Sequence, residues 1–410
     1  MTLSPVFGWT LLSRDALKKA EAYLKESTEG VRDEIGFLAL HQAYADRFFP
    51  GTSVLHTRLR YVLFVPWLYE RAAKRLVAER TRVDRLMQSE ELVLAGQLKQ
   101  AGERGVIGGD NYPKPTSQPP SMVYWSALYT WGILKPNSDG SYLARSDLHR
   151  ALQGLHRRSR LLDDDKAPLD EGFHFFVKAP DPPPEFDKAN QSLNFHLSKA
   201  EGVFLKQRLS SVMRPKEEGV PSLLARLSQT SLTYGAIHEP WHKKIVAEAD
   251  AADKAALNRA KQAAAISAIG RGIYAALVEQ ACEKQDKRKV GSLHRDYLKD
   301  VVAEFHDDAL GLNLSDLGLD AARLSDDPIQ SVLEQIQTWL KSGSKDLDGL
   351  RSSFEPAERR RKGRRARLSD TLAGQQRRAE WEPAKHTLAE PLHYRWPKVQ
   401  RLLQDLHDVP

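Results

Sequence analysis

The stretch from 249 to 285, ADAADKAALNRAKQAAAISAIGRGIYAALVEQACEKQ, constrains the fold more than any other part of the chain. Alanine has the highest intrinsic helix propensity, and the run is long enough for many turns. Its side chains are small, so neighbouring helices can approach closely. The expectation is one long central helix against which other helices pack. The flanking sequence agrees. Apolar residues recur at helical spacing in SRDALKKAEAYLKES, where Ser13 is a cap candidate, and in DEIGFLALHQAYADRFF, which stops at Pro50-Gly51. Ser198 and Glu201 stand three apart before an apolar run, the spacing of a reciprocal capping box. Pro397 sits where a last helix, RWPKVQRLLQDLHD, would begin.

Residues 111–185 read differently. PPSMVYWSALYTWGIL predicts a helix, KPNSDGSY a turn, SDLHRALQGLHRR a second helix and GFHFFVKAP a strand. That order is compatible with a small winged-helix-like α+β segment. In such a module the second helix would enter a DNA groove, and Arg145, His149, Arg150, Arg157 and Arg158 would supply contacts. APDPPPEFDKANQ then reads as a linker. The expected architecture is mainly α and multi-helical, with a helical domain over 1–110, the winged-helix-like segment over 111–185 and a second helical domain over 186–410.

FFPGTSVLHTRLRYVLFVPWLYE, residues 48–70, raises the question of a membrane anchor. Its apolar run of nine residues, Tyr61 to Tyr69, is far shorter than a spanning helix needs and is flanked by Arg58, Arg60, Glu70 and Arg71. Buried core is the favoured reading. Thr52 or Ser53 would cap the helix, and Pro66 would kink or break it. With one cysteine and no signal-peptide pattern at the N-terminus, an intracellular, cytoplasmic protein with no membrane partner is expected.

Catalytic patterns are scarce. No GxxxxGK[ST], GxGxxG after a strand, or GxSxG is present. HEPWH, 238–242, matches the HExxH zinc pattern, but Pro240 favours a helix that starts there and leaves His238 outside it. Neither metal nor cofactor is expected. HKKIVAEAD resembles the HxK-plus-aspartate pattern of phospholipase D-like nucleases, with Ala249 where the aspartate belongs and no second copy. Asp163 to Asp165 and the pair Asp307 and Asp308 read as solvated loop charge.

Charge is the strongest functional signal. The chain carries a formal +7, and the window 355–381 holds nine Lys and Arg against four Asp and Glu. Within it, ERRRKGRRARL places Arg359, Arg360, Arg361, Lys362, Arg364, Arg365 and Arg367 close together. A local excess rich in arginine suits phosphate or carboxylate recognition, and the competing reading is a set of structural ion pairs. Trp381, Tyr394 and Trp396 lie near in sequence; core packing is favoured over base stacking.

Four groups of residues, with later stretches, carry a resemblance. Arg32 to Gly36, Phe48 to Ser53, Thr57 to Tyr61 and Pro66-Trp67, with the later YWSALYTWGIL and the C-terminal RRRKGRRARL, EW and YRW, resemble an uncharacterised bacterial family, one of the numbered domains of unknown function. The resemblance covers most of the chain, assigns no activity and transfers no catalytic residue. It implies a setting in genome-defence islands beside helicases and nucleases. Arg32, Asp33, Glu34 and Arg58 are expected to cluster against the helix carrying Tyr61 and Trp67, as a buried salt-bridge network or a partner groove. Together these readings point to a non-enzymatic DNA-binding or scaffolding subunit of an antiviral defence system, partnered by other subunits. The alternatives are a nuclease or related hydrolase with a dispersed site, and a pure protein-interaction subunit.

Overall fold

The long alanine-rich helix is present in the structure, a computed structural model that describes residues 33–78, 81–158, 175–325 and 327–409. Contacts group the chain into Met1–Asp33 and Glu34–Pro410, and every helix below belongs to the second unit. The expected helix at 13–27, Arg32 and the aspartates 163–165 lie outside the described residues.

In chain order the helices are α1 (Leu38–Phe48), α2 (Tyr61–Ala78), α3 (Val83–Gln100), α4 (Pro120–Val123), α5 (Trp125–Thr130), α6 (Arg145–Arg158), α7 (Lys199–Ser210) and α8 (Leu223–Leu227). There follow α9 (Lys243–Glu248), α10 (Ala251–Lys284), α11 (Leu293–Gly311), α12 (Leu317–Asp320), α13 (Ile329–Lys341), α14 (Arg351–Lys362), α15 (Leu372–Ala379) and α16 (Trp396–His407). The 34-residue α10 starts at Asp250, whose side chain accepts the Asp253 amide at 2.8 Å. Helix α11 folds back along it, α13 packs on both, and α1 packs on its middle. Gly270 makes the α1 approach possible: a Cβ there would lie 2.2 Å from Cζ of Phe37. A second group, α2, α3 and α6, packs together, and α16 packs on α7. One apolar core runs from Ile35 to Leu406. Among the described residues, no helix is long and apolar enough to cross a membrane.

The run Tyr61 to Tyr69 is core, as expected; Val62, Leu63, Phe64 and Val65 are fully buried. Two details differ. The helix begins at Tyr61 rather than after Thr52 or Ser53, because backbone groups of residues 50–60 are held from outside. The Tyr124 hydroxyl accepts the Thr57 and Arg58 amides at 2.9 and 3.0 Å, and Asp405 accepts the Leu59 amide at 2.8 Å. Pro66 does not end the helix. It is the sixth residue of the helix, so its missing amide costs one ladder bond, to the Val62 carbonyl, and the helix continues past it to Ala78.

The winged-helix segment is a correction. No β-strand exists among the described residues; GFHFFVKAP contributes one isolated antiparallel bridge, Leu134 with Phe176. Pro180 and the prolines at 182–184 remove the donors a ladder would need beyond it. The helix meant for a groove also faces inward, since Leu148, His149 and Leu152 on α6 are buried. Two other helix-end signals hold, whereas the helix expected to start at Pro240 begins at Lys243. Ser198 and Glu201 form the reciprocal box, with bonds of 3.3 and 2.7 Å, and Pro397 lies in the first turn of α16.

Candidate nucleic-acid interface

The arginine run divides between structure and surface. Helix α14 ends at Gly363 (φ +57°), and a single 3₁₀ turn, Gly363–Arg365, follows. The turn is fixed from beneath by Glu358, which is fully buried. Its Oε1 accepts the Tyr274 hydroxyl at 2.7 Å and the Arg367 amide at 2.8 Å, and its Oε2 accepts the Leu368 amide at 2.8 Å. Burial, then the Glu358 charge, pushes the Tyr274 hydroxyl far above its usual range. Arg367 turns inward to the Tyr274 oxygen at 3.3 Å and to Glu34 at 3.9 Å. Burial opposes its charge, but Tyr274, Glu34 and Glu358 outweigh that and hold its pKa above the usual value.

Neighbouring guanidinium groups are likewise spoken for. Arg378 is buried; it grips Asp286 through two bonds of 2.7 and 2.8 Å and caps the Ser369 carbonyl at 2.8 Å. Its pKa is raised, chiefly by the Asp286 bonds. Arg351 pairs with Asp370, Arg359 with Glu355 and Arg377 with Glu380. Each of the four carboxylates in the window therefore has a partner. What remains is Arg360, Lys362, Arg364 and Arg365, none with an acidic partner among the described residues. Arg360, Arg364 and Arg365 are exposed, as is Arg361 beside them. Arg378 joins Asp286 to the 367–369 backbone, and the exposed Lys287 and Lys289 follow Asp286 in sequence.

The other predicted site residues do not join this face. Arg150 bonds to Asp147 on its own helix, and Arg145 is half-buried, with its charge felt by Tyr69 and Glu91. The side chains of Arg157 and Arg158 lie outside the described residues. The proposed cluster of Glu34 with Arg58 is not formed: Glu34 serves Arg367, whereas Arg58 bonds Asp405 through Nε at 3.0 Å and Glu103 at 3.2 Å. Tyr61 accepts the Ile107 amide at 2.8 Å, and Trp67 donates to the Pro180 carbonyl at 3.0 Å, so both are packing residues. Trp381, Tyr394 and Trp396 are buried. Helix α9 starts at Lys243 with His242 as its cap, and His238 precedes it in the exposed loop.

One arrangement has no signature in the sequence. Asp84 accepts His149 Nδ1 at 2.6 Å, and His149 Nε2 meets the Tyr69 hydroxyl at 2.7 Å. Burial lowers the His149 pKa against the pull of Asp84, so the ring is neutral, donating to Asp84 and accepting from Tyr69. The connectivity is that of a charge relay, but Tyr69 is fully buried and no reacting group can reach it. The chain ties α2, α3 and α6 together.

The chain belongs to a family of unknown function, DUF6361, whose profile matches residues 9–409. No curated protein and no solved structure matches it.

Proposed function

We propose that this protein binds duplex DNA through the face formed by Arg360, Arg361, Lys362, Arg364 and Arg365, and that it does so as a non-enzymatic subunit of an antiviral defence assembly. The observation that carries the DNA reading is the charge bookkeeping of the window. Every carboxylate there is engaged, and Arg360, Arg364 and Arg365 are outward-facing with no acidic partner among the described residues. Unpaired guanidinium groups repel one another unless a polyanion covers them, and phosphate suits their planar fork. The rigid turn on Glu358 holds them in place, which reduces the ordering cost of binding. Contacts of this type read backbone and not bases, so binding would be largely independent of sequence. The defence setting rests on the family resemblance, and a catalytic partner would supply any helicase or nuclease step.

The test is fluorescence anisotropy of a labelled duplex at low salt. The wild type is expected to bind, and Arg360→Ala/Arg364→Ala/Arg365→Ala, all exposed, to bind at least about tenfold more weakly with an unchanged circular dichroism spectrum. Equal affinity would remove this face from DNA. No binding by either would turn the search to an acidic protein surface.

A further inference from the structure

Helix α7 buries one face in the core and turns another towards a cavity. Glu201, Leu205 and Leu209 are on the buried face. Lys199, Gly202, Val203 and Lys206, spaced as one stripe of a helix, line a cavity of about 350 Å³. The other walls are the end of α8 with the loop after it, and the last turns of α16; they contribute Leu227, Leu403 and Leu406. These three are buried and form the apolar lining, whereas Val203, 64% exposed, stands at the mouth. Val409 closes one end by packing on Gly202, where an added Cβ would lie 2.7 Å from the Val409 methyl groups.

Most polar groups of the wall are engaged. The Thr230 and Tyr234 hydroxyls donate to the Leu227 carbonyl at 2.9 and 2.8 Å, and the Ser228 hydroxyl donates to the Ala225 carbonyl at 2.7 Å. These bonds fix the loop after α8. Ser231, Lys199, Lys206 and His407 are exposed at the rim, and His407 has Asp408 4.0 Å away. No Asp or Glu lines the cavity, and neither lysine has an acidic partner among the described residues. The two lysines are not equivalent. Gly202 faces the C-terminal end of α16, where the last carbonyls carry negative partial charge. Lys206 lies one turn beyond Gly202, and its carbonyl accepts the Gln229 side chain at 3.3 Å, which brings it beside the 228–231 loop. An anion is therefore favoured at the Lys206 end.

We infer that the cavity between α7, α8 and α16 binds a small amphipathic carboxylate, an aliphatic chain with one acid head. The chain lies against Leu227, Leu403 and Leu406, and the head meets the Lys206 ammonium and the Ser231 hydroxyl at the rim. A cation is repelled by the lysines, and a neutral chain leaves them unused. The volume is that of a small-molecule site. A protein partner fits less well, because an interface needs a broad apolar centre depleted of lysine. Among the described residues, Val203 is the one exposed large hydrophobic on this rim. The site shares no residue with the arginine face and does not rest on the DNA reading.

The experiment titrates octanoate and decanoate, below their micelle concentrations, into the full chain and reads Tm and the methyl NMR signals. Decyltrimethylammonium and sodium chloride at matched ionic strength are the controls. The wild type is expected to gain Tm saturably in the carboxylates alone, with the signal shifts concentrated in Val203, Leu227, Leu403 and Leu406. Lys206→Ala should weaken binding about two- to fivefold. Val203→Asp, an exposed change that sets a carboxylate between the two lysines, should remove the saturable gain, and Lys206→Glu serves in its place if that variant does not fold. Arg360→Ala/Arg364→Ala/Arg365→Ala should bind the carboxylates as the wild type does. No saturable gain with either carboxylate, an equal gain with decyltrimethylammonium, or methyl shifts that spare all four residues would overturn the proposal.

Discussion

Arg58 shows how one residue can fix distant parts of the chain. Its Nε donates to both Asp405 oxygens at 3.0 Å, its guanidinium lies 4.5 Å from the centroid of the Phe195 ring, and its backbone brackets the Tyr124 hydroxyl. Burial raises the Asp405 pKa and the Arg58 bonds oppose the rise. Removing Asp405 leaves Arg58 with Glu103 alone and the Leu59 amide without its acceptor, so Asp405→Leu should cost about 3 kcal/mol in urea unfolding, and adding Arg58→Met should recover part of it. A loss under about 1 kcal/mol would show that the pair is not what joins α16 to the loop before α2. His56 makes a separate prediction. It stacks on Tyr124 with centroids 4.2 Å apart, donates to the Val123 carbonyl, and has its pKa lowered to about 3 by burial, against that bond. The unfolded chain takes up a proton near pH 6.5 that the folded chain refuses. This contribution is therefore full above that pH and is lost as pH falls from about 6.5 towards 3. Between pH 7.5 and 5 the wild type should lose about 2 kcal/mol more stability than His56→Gln. Glu91, Asp253 and Asp405, whose pKa values are raised, act in the opposite sense, so the difference between the two proteins is the quantity to measure. Equal slopes would place the charge change elsewhere.

Among elements, α10 sets the packing distances. Gly270→Ala improves helix propensity by up to about 1 kcal/mol, yet its new methyl meets Phe37 and Ile336 at 2.2 and 2.9 Å, so net destabilisation of about 1 kcal/mol or more is expected. The same change at Gly154 on α6, where no described atom lies within 4 Å, should stabilise by about 0.5–1 kcal/mol. A stabilised Gly270→Ala in thermal unfolding would contradict the close approach of α1. Much at this scale was legible in the sequence, because alanine content, the Ser198–Glu201 spacing and Pro397 act through local chemistry. The misreadings share a cause. Residues 50–60 look like a turn and a cap, but Tyr124 and Asp405, distant in sequence, claim their amides. Phe175 to Val177 has strand-like residues, yet pairs at one bridge only because prolines follow. The Asp84–His149–Tyr69 chain was invisible for the same reason: its members stand on three helices with no shared spacing.

At the scale of the whole molecule, the +7 charge is not a diffuse coat. The window 355–381 accounts for most of it, and the structure divides that window into arginines that build the turn and arginines that face water. The sequence alone located the run but could not sort it, since Arg367 and Arg360 differ only in what folds against them. The DNA reading turns on that sorting, and the salt dependence of duplex affinity tests it most directly. Each phosphate neutralised adds about −0.9 to the log–log slope. The account predicts a steep slope for the wild type, and one shallower by about 2.7 when Arg360, Arg364 and Arg365 become alanine. Identical slopes in the two proteins, or affinity indifferent to salt, would contradict it.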